Sequence, residues 1–213
     1  MKALTPQVTI ESNTSYKDLL NLIEKAGRVC YKSEDKIKEG SAEKFISGII
    51  ARGHEAVLEH GTITVKVICD RGVTHEIVRH RIGAYCQEST RYCNYGKDKF
   101  GKEISCIIPS QFIDNTLNNP NYQAWVEMMK SAENYYMSLL DMGWTPQEAR
   151  AVLPNSLKTE IFITYNLREW RHFLKLRTAK GAHPDMRLVA KMILTKFKEE
   201  FPLFFNDIEV EDE

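Results

Sequence analysis

The stretch 62–69, with the sequence TITVKVIC, contains the clearest alternation in the chain. Three β-branched apolar residues, Ile63, Val65 and Val67, fall on one face of an extended segment, and polar residues alternate with them. Strict alternation of this kind predicts a β-strand with one buried face. This strand is the starting point for the predicted fold.

Further strands and helices are predicted on both sides of this strand. Strands are expected at residues 7–10, 104–108 and 158–165. Helices are expected at residues 15–26, 41–52, 72–81, 122–142, 145–153, 166–177 and 185–200. Long helices that do not alternate regularly with strands favour an α+β fold over a doubly wound parallel sheet. We expect a single domain over residues 1–213, with a central, mostly antiparallel sheet flanked by long helices. It ends in an acidic tail at about 207–213, in which the segment EVEDE at 209–213 is expected to be frayed.

Composition and charge exclude several classes of protein. The chain is 43% hydrophobic and 27% charged, which is ordinary for a globular domain and argues against disorder or an integral membrane protein. Lys plus Arg and Asp plus Glu both number 29, so the net charge is zero. A protein that binds the nucleic-acid backbone carries a positive excess, so we expect neither nucleic-acid nor membrane partners. No glycine-rich Rossmann or P-loop pattern occurs.

The cysteines indicate a reducing compartment. There are five of them, an odd number, and no two form a C-x-x-C pair. This pattern argues against a disulfide framework or a thiolate zinc site. The N-terminus lacks the apolar core of a secretory signal. We therefore expect a cytoplasmic protein with free thiols.

The densest polar segment of the chain spans residues 79–92, RHRIGAYCQESTRY. Its arginines present planar donor forks that match phosphate and carbonyl groups. Ser89, Thr90 and local backbone N–H groups can complete an anion site. On spacing alone, the alternative is a solvated helix end, where arginines are favoured by the helix dipole.

Two other segments carry candidate functional residues. The stretch HEAVLEH at 54–60 has histidines six positions apart, which does not fit the HExxH spacing of a zincin. On the predicted helix 166–177, Trp170, Phe173 and Leu174 share one face with Arg177. An arginine at that position either extends along the apolar surface to solvent or reaches a buried carbonyl or acidic partner.

Four motifs, taken jointly, are similar to those of the flavin-dependent thymidylate synthases. The family signature, RHR followed by seven residues and Ser, occurs as Arg79-His80-Arg81 and Ser89. The upstream GHExxxEH motif matches residues 53–60, ARxVLP matches 149–154, and NxR…FLxLR matches 166–177. Their order and intervals extend the resemblance over about residues 15–202.

The resemblance implies an enzyme that converts dUMP to dTMP for dTTP biosynthesis. The folate 5,10-methylenetetrahydrofolate donates the carbon, and NADPH supplies reducing equivalents through FAD. In such enzymes the active sites lie between the subunits of a homotetramer. An alternative function that is compatible with the same motifs is that of a catalytically inactive paralogue, which binds nucleotide or flavin without catalysis. A zinc hydrolase built on the histidines of 54–60 and 75–80 is disfavoured by spacing, and no metal is expected.

The resemblance also implies roles for individual residues. Arg177 matches the arginine that lies against the pyrimidine and favours ionisation at N3; a guanidinium stays charged and can stabilise negative charge on the ring. The matching dUMP contacts are Glu76, Arg79, Gln87, Glu88, Ser89, Thr90, Arg91, Arg150 and Arg177. The matching FAD positions are His54, Ala56, Arg79, His80, Arg81, Gln87, Asn166, Arg168 and His172. No cysteine is expected to act as a nucleophile.

The chain also departs from the family pattern at several positions. Ala84, Cys86 and Gln87 stand where the family often has Ser, Asn and Glu. His172 stands where Asn is common, and the sequence GAHPDM at 181–186 replaces a more usual HAQxEI. Gln87 retains the capacity to form hydrogen bonds but carries no charge.

Overall fold

Strands and α-helices follow one another without regular alternation within residues 1–210, which the computed structural model describes. The strands are β1 (Lys2–Leu4), β2 (Gln7–Ile10), β3 (Thr62–Asp70), β4 (Ala84–Gln87), β5 (Ser105–Ile107) and β6 (Lys158–Asn166). The α-helices are α1 (Tyr16–Val29), α2 (Ser41–Ala51), α3 (Arg71–Ile77), α4 (Pro120–Asp141), α5 (Pro146–Ala149), α6 (Leu167–Arg177), α7 (Pro184–Glu200) and α8 (Pro202–Phe205). Short 3-10 helices lie at Glu34–Lys36, Glu55–His60, Asp98–Phe100, Ser110–Phe112 and Arg150–Val152.

The principal sheet is antiparallel and has the strand order β2-β3-β6-β4. A separate parallel pair joins β1 to β5, with Lys2 opposite Ser105. The predicted α+β class and mostly antiparallel sheet are confirmed. Sequence analysis missed β1 and β4, because β1 has three residues and the half-exposed β4, AYCQ, has no buried apolar face.

The alternating residues of β3 and β6 form the buried face that their patterns predict. Ile63, Val65 and Val67 are fully buried, and so are Ile161 and Ile163. Burial of each such side chain contributes about 1.5–3 kcal/mol relative to exposure. Alternation therefore determines which face of these strands packs inward.

The described chain consists of two compact units. The first unit comprises Met1–Gln7, Val67–Arg79 and Cys86–Ile161, and the second comprises Val8–Lys66, His80–Tyr85 and the described residues from Phe162 onward. The core of the first unit contains Tyr95, Ile104, Cys106, Tyr136 and Leu157. The prediction of one domain over the whole chain stays a prediction.

Aromatic rings dominate the core of the second unit. The Tyr165 and Trp170 rings lie 4.6 Å apart between centroids, and Trp170 meets Phe197 edge to face at 5.0 Å. The buried indole Nε1 of Trp170 donates to the Ile63 carbonyl over 2.9 Å, so its polar group is satisfied. None of the described helices is long and apolar enough to cross a membrane.

Helix α3 ends earlier than predicted. It begins with Asp70, which accepts from the Val73 amide, but it stops at Ile77 instead of continuing to residue 81. The RHR motif therefore lies in the connection between α3 and β4, and not at a helix end. After the motif, the backbone of Gly83 lies so close to the buried Tyr165 ring that an added Cβ would come within 2.3 Å of it.

One further helix differs from the predictions. The helix expected over 145–153 consists of the short α5 followed by the 3-10 helix Arg150–Val152, before Pro154.

The first two residues of the expected acidic tail make contacts within the second unit. Asp207 accepts from the buried Arg171 guanidinium over 2.6 Å, and Ile208 is only 2% exposed. Residues 211–213 of the expected tail lie outside the described residues.

Candidate active site

Helix α6 carries several of the predicted site residues. Asn166 caps its N-terminus, since its side-chain oxygen accepts from the Glu169 amide over 2.8 Å. Trp170, Phe173 and Leu174 are fully buried, as their shared helical face predicts. This packing fixes the helix, and Arg177 at its C-terminal end is half-buried.

Arg177, His80 and Glu169 form a hydrogen-bonded chain. The Nε of Arg177 donates to Nε2 of His80 over 3.1 Å, and Nδ1 of His80 lies 2.9 Å from Oε1 of Glu169. His80 is 6% exposed and Glu169 is 8% exposed. Of the two outcomes predicted for Arg177, the structure therefore shows the one with a buried partner, although that partner is an imidazole.

The surroundings of His80 disfavour its charged form. Burial lowers the pKa of His80 below its ordinary value, and cationic Arg177 lowers it further, while the hydrogen bond to Glu169 opposes both effects. The Phe173 ring approaches edge to face at 4.9 Å, and the His172 ring lies 5.6 Å away. His80 is thus a neutral imidazole at neutral pH.

A cavity of about 560 Å³ lies beside α6. Its lining residues are Glu55, Glu59, Ile82, Asn166, Arg168, Glu169, His172 and Lys175. It brings together three of the predicted flavin positions, Asn166, Arg168 and His172. The two helix 55–60 carboxylates are neutralised, because Glu55 accepts from Arg171 and Glu59 accepts from Arg168.

This lining fits a flavin cofactor. FAD combines an anionic pyrophosphate with a flat, polar-edged ring, so its site needs cations, amides and apolar surface. Arg168 and Lys175 supply cationic groups, Asn166 supplies an amide, and Ile82 supplies apolar surface. Two of the three lining carboxylates, Glu55 and Glu59, are paired with arginines, and the third, Glu169, is hydrogen-bonded to His80.

The other predicted flavin residues are not among those that line this cavity. His54 and Ala56 are exposed at the start of the 3-10 helix that contributes Glu55 and Glu59 to the cavity. Arg81 is exposed in the connection after His80. Arg79 is also exposed and belongs to the first unit.

The predicted nucleotide residues of segment 87–91 lie in the first unit. The buried Thr90 hydroxyl accepts from the exposed Arg150 over 3.4 Å. The Ser89 hydroxyl accepts from the Arg91 amide over 3.3 Å, and the Arg91 guanidinium lies over the Tyr92 ring. The structure therefore brings a cation and hydroxyls together here, as an anion site requires.

Two residues of the same segment already have partners within the first unit. The Gln87 amide donates to the hydroxyls of Thr74 and Thr159 over 3.0 and 3.2 Å. Glu88 accepts from the Tyr95 hydroxyl and from Lys158, each over 2.9 Å. Glu76 lies half-buried on α3.

The Lys158 ammonium is held by carboxylates on both sides. Its burial lowers its pKa, but hydrogen bonds to Glu160 and Glu88 outweigh burial and raise the pKa above its ordinary value. Lys158 is therefore charged, and Glu88 is neutralised by it.

Among residues 1–210, one group of side chains converges as metal ligands would: His80, Glu169 and His172. Their potential ligand atoms all lie within 4.8 Å of one another. Of the histidines in the zinc alternative, this group includes His80 but not His54, His60 or His75. Both ring nitrogens of His80 are engaged, and the Arg177 cation is in contact with one of them. A nearby cation disfavours metal binding. That the protein uses no metal stays a prediction.

Sequence analysis missed Glu169, Lys158 and Lys175. Glu169 stands three residues after the cap Asn166, the position of the acidic residue in a capping box, which was the one available signal. Its contact with His80 joins residues 89 positions apart, and Lys158 meets Glu88 across 70 positions. Local spacing carries no information about such pairs.

Comparison with known proteins identifies the family. The profile of the family described as "Thymidylate synthase complementing protein" matches residues 13–203. The flavin-dependent thymidylate synthase of Corynebacterium efficiens is 32% identical over 98% of this chain and 87% of its own. The enzyme of the same name from Pyrococcus furiosus is 35% identical over 81% of this chain and 69% of its own. The chain belongs to this family, which confirms the resemblance.

A solved structure supports the fold independently. The crystal structure of the UMP/dUMP methylase PolB from Streptomyces cacaoi, bound with 5-Br dUMP, has a TM-score of 0.78 with this chain. The match covers 97% of this chain and 96% of PolB, at 23% identity. At that identity the similarity shows the fold.

Proposed function

We propose that this protein catalyses the reductive methylation of dUMP to dTMP, with 5,10-methylenetetrahydrofolate as the carbon donor and NADPH as the reductant through FAD. The observation that supports this most is that helix α6 and its N-cap Asn166 contribute Asn166, Arg168 and His172 to the cavity, and that the same helix carries Arg177. Membership of the family and the names of its relatives support the same reaction.

In this reaction the bonds between the methylene carbon and the two folate nitrogens break, and that carbon becomes bonded to C5 of the pyrimidine. The C5 proton leaves, and a hydride completes the methyl group. FAD, when bound, supplies the redox chemistry that carries the hydride from NADPH. Asn166, Arg168, His172 and Lys175 would hold it, and we assign Arg79, His80 and Arg81 to the same cofactor. The products are dTMP, tetrahydrofolate and NADP⁺.

Arg177 is the proposed catalytic residue. Its guanidinium stays protonated, so it can stabilise negative charge that develops on the pyrimidine. Ser89, Thr90, Arg91 and Arg150 are assigned to the nucleotide phosphate, together with Glu76 and Arg79. Because Gln87 and Glu88 are engaged with their own unit, we assign them to holding this segment in place.

The proposed assembly is a homotetramer with active sites between subunits. Large apolar side chains on the described surface support an interface: Met128 and Tyr135 on α4 are 66% and 68% exposed. Sedimentation should give a species four times the 24.6 kDa chain mass. A fully active monomer would contradict the assembly. All five cysteines are free, which supports a cytoplasmic location.

The reaction is tested by reconstitution with omission of each component. Purified protein should absorb near ~450 nm as oxidised flavin does. It should form dTMP from dUMP when methylene-folate and NADPH are both present, and none when either is omitted. Protein that retains flavin and dUMP but forms no dTMP would identify the alternative, an inactive binding paralogue.

A further inference from the structure

We propose that Glu169, acting through His80, is a positioning residue for Arg177; the proposal rests on the proposed function, which places Arg177 against the pyrimidine. The observation is the hydrogen-bonded chain from the Glu169 carboxylate through both ring nitrogens of His80 to Nε of Arg177. Glu169 and His80 are buried, so water does not compete for these bonds.

The identity of the donors fixes the tautomer of His80. A guanidinium nitrogen donates and cannot accept, so Nε2 of His80 must present its lone pair to Arg177. The proton of the neutral ring is then on Nδ1, where it donates to the Glu169 carboxylate. A carboxylate that orients an imidazole in this way is a recurrent device in metal sites and in the Ser-His-Asp triad.

The bond from Nε constrains the guanidinium at its inner nitrogen. Because the guanidinium is planar and rigid, fixing Nε restricts rotation of the whole group about its long axis. An ordered guanidinium loses less conformational entropy when it meets a planar ligand. Glu169 therefore affects the pyrimidine contact without touching the substrate.

Protonation of His80 would disrupt the hydrogen bond between His80 and Arg177. An imidazolium has hydrogens on both nitrogens, so its Nε2–H would face the Arg177 Nε–H, with two donors and two positive charges opposed. The groups that face His80 are Glu169, His172 and Arg177 from α6, Tyr165 from β6, and the Tyr85 hydroxyl, which donates to the His80 carbonyl. Only the Glu169 carboxylate favours the imidazolium, so its removal makes His80 harder to protonate.

The tautomer is tested by NMR of the full chain labelled with ¹⁵N-histidine. The chain has six histidines, and the His80 signals are those lost in His80→Gln. Wild-type protein should show a protonated Nδ1 and an unprotonated Nε2 at neutral pH. Glu169→Gln should keep this tautomer but shift the signal of the Nδ1 proton, because a neutral amide oxygen is a weaker acceptor than a carboxylate, and the matched surface change Glu199→Gln should leave the signal in place. A proton on Nε2 in the wild-type protein would overturn the proposal.

Kinetics provide the second arm. Glu169→Gln should retain FAD and its thermal midpoint but lose about 10- to 100-fold in kcat/KM for dUMP, the range seen when groups that orient a histidine ligand are removed. The acid limb of the pH profile of kcat/KM should move to lower pH in this variant, because His80 becomes harder to protonate. Unchanged kcat/KM and an unmoved limb would overturn the positioning role. No dTMP formation by the wild-type chain would instead overturn the proposed function, and the NMR arm would still report the tautomer.

Discussion

His80 and Arg177 are 97 positions apart in the chain, and the side chain of one accepts a hydrogen bond from the other over 3.1 Å. The contact joins the middle of the RHR motif to the last residue of helix α6. It gives the half-buried guanidinium a neutral partner, so the positive charge of Arg177 is not cancelled by this contact. A charged group held by a neutral acceptor is suited to stabilising charge on a substrate.

Arg177 should be essential for dTMP formation and dispensable for flavin binding. Arg177→Ala should fold, retain FAD and still be reduced by NADPH, while dTMP formation falls by about 30- to 1000-fold, the scale of a lost charged hydrogen bond in a water-excluded site. Arg177→Lys should restore little dTMP formation, because an ammonium group lacks the planar arrangement of N–H donors that a guanidinium has. FAD content, flavin reduction and dTMP yield measure this. Near-wild-type turnover of Arg177→Ala would remove its catalytic role.

Cys86 should be dispensable. It is an exposed, free thiol within the signature segment, and a nucleophilic cysteine needs an adjacent base. Cys86→Ser should therefore keep dTMP formation within about twofold of wild type, a change well below one order of magnitude in rate. The measurement is the steady-state rate at saturating substrates. Complete loss of activity in folded, flavin-loaded protein would show that the thiol takes part in the chemistry.

Gly83→Ala should destabilise the protein. The new Cβ would lie 2.3 Å from the Tyr165 ring, which is 1% exposed and packed against Trp170 and Phe173, so it has no room to move. Overpacking of this kind costs about 1–3 kcal/mol. The control is Gly181→Ala, where nothing lies within 4 Å of the new Cβ. Thermal melts of both variants measure the effect, and equal midpoints would show that β4 can shift to accommodate the methyl group.

Asp207 should stabilise the protein in a pH-dependent way. Its hydrogen bond with Arg171 holds the pKa of Asp207 below its ordinary value. A carboxyl group whose pKa is lower in the folded state stabilises the protein fully at pH values above its pKa in the unfolded chain, which is about 3.9 for Asp. This stabilisation is lost as the pH falls through the pKa of the folded state. Asp207→Asn should therefore lower the thermal midpoint at pH 7, and the difference from wild type should shrink below about pH 4.

The control for this effect is Asp35→Asn, which changes an exposed carboxylate of the 3-10 helix Glu34–Lys36. Its melting midpoint should stay close to wild type at every pH. If Asp207→Asn lowered the thermal midpoint equally at pH 3 and pH 7, the carboxylate charge would have no role. The effect of the substitution would then come from packing.

The strands β3 and β6 and the helix α6 could be predicted from sequence because their signals are local. Alternation of Ile63, Val65 and Val67 identifies one buried face whatever the strand packs against. The side chain of Asn166 reaches an amide three residues away, so the start of α6 follows from adjacent residues. The motif spacings identified the family for the same reason, since they need no knowledge of contacts.

Only the tertiary structure decided what the site residues contact. Glu169 appeared to sequence analysis as one polar position on a helix, and it is the partner of His80. Asp207 was placed in an acidic tail with no partner assigned, and it pairs with Arg171. The close approach of Gly83 to the Tyr165 ring likewise joins segments that are distant in the chain. Hydrogen bonds and steric contacts between distant segments depend on strand register and on the direction in which each side chain leaves its element, and these are set by packing of the whole chain and not by spacing along it.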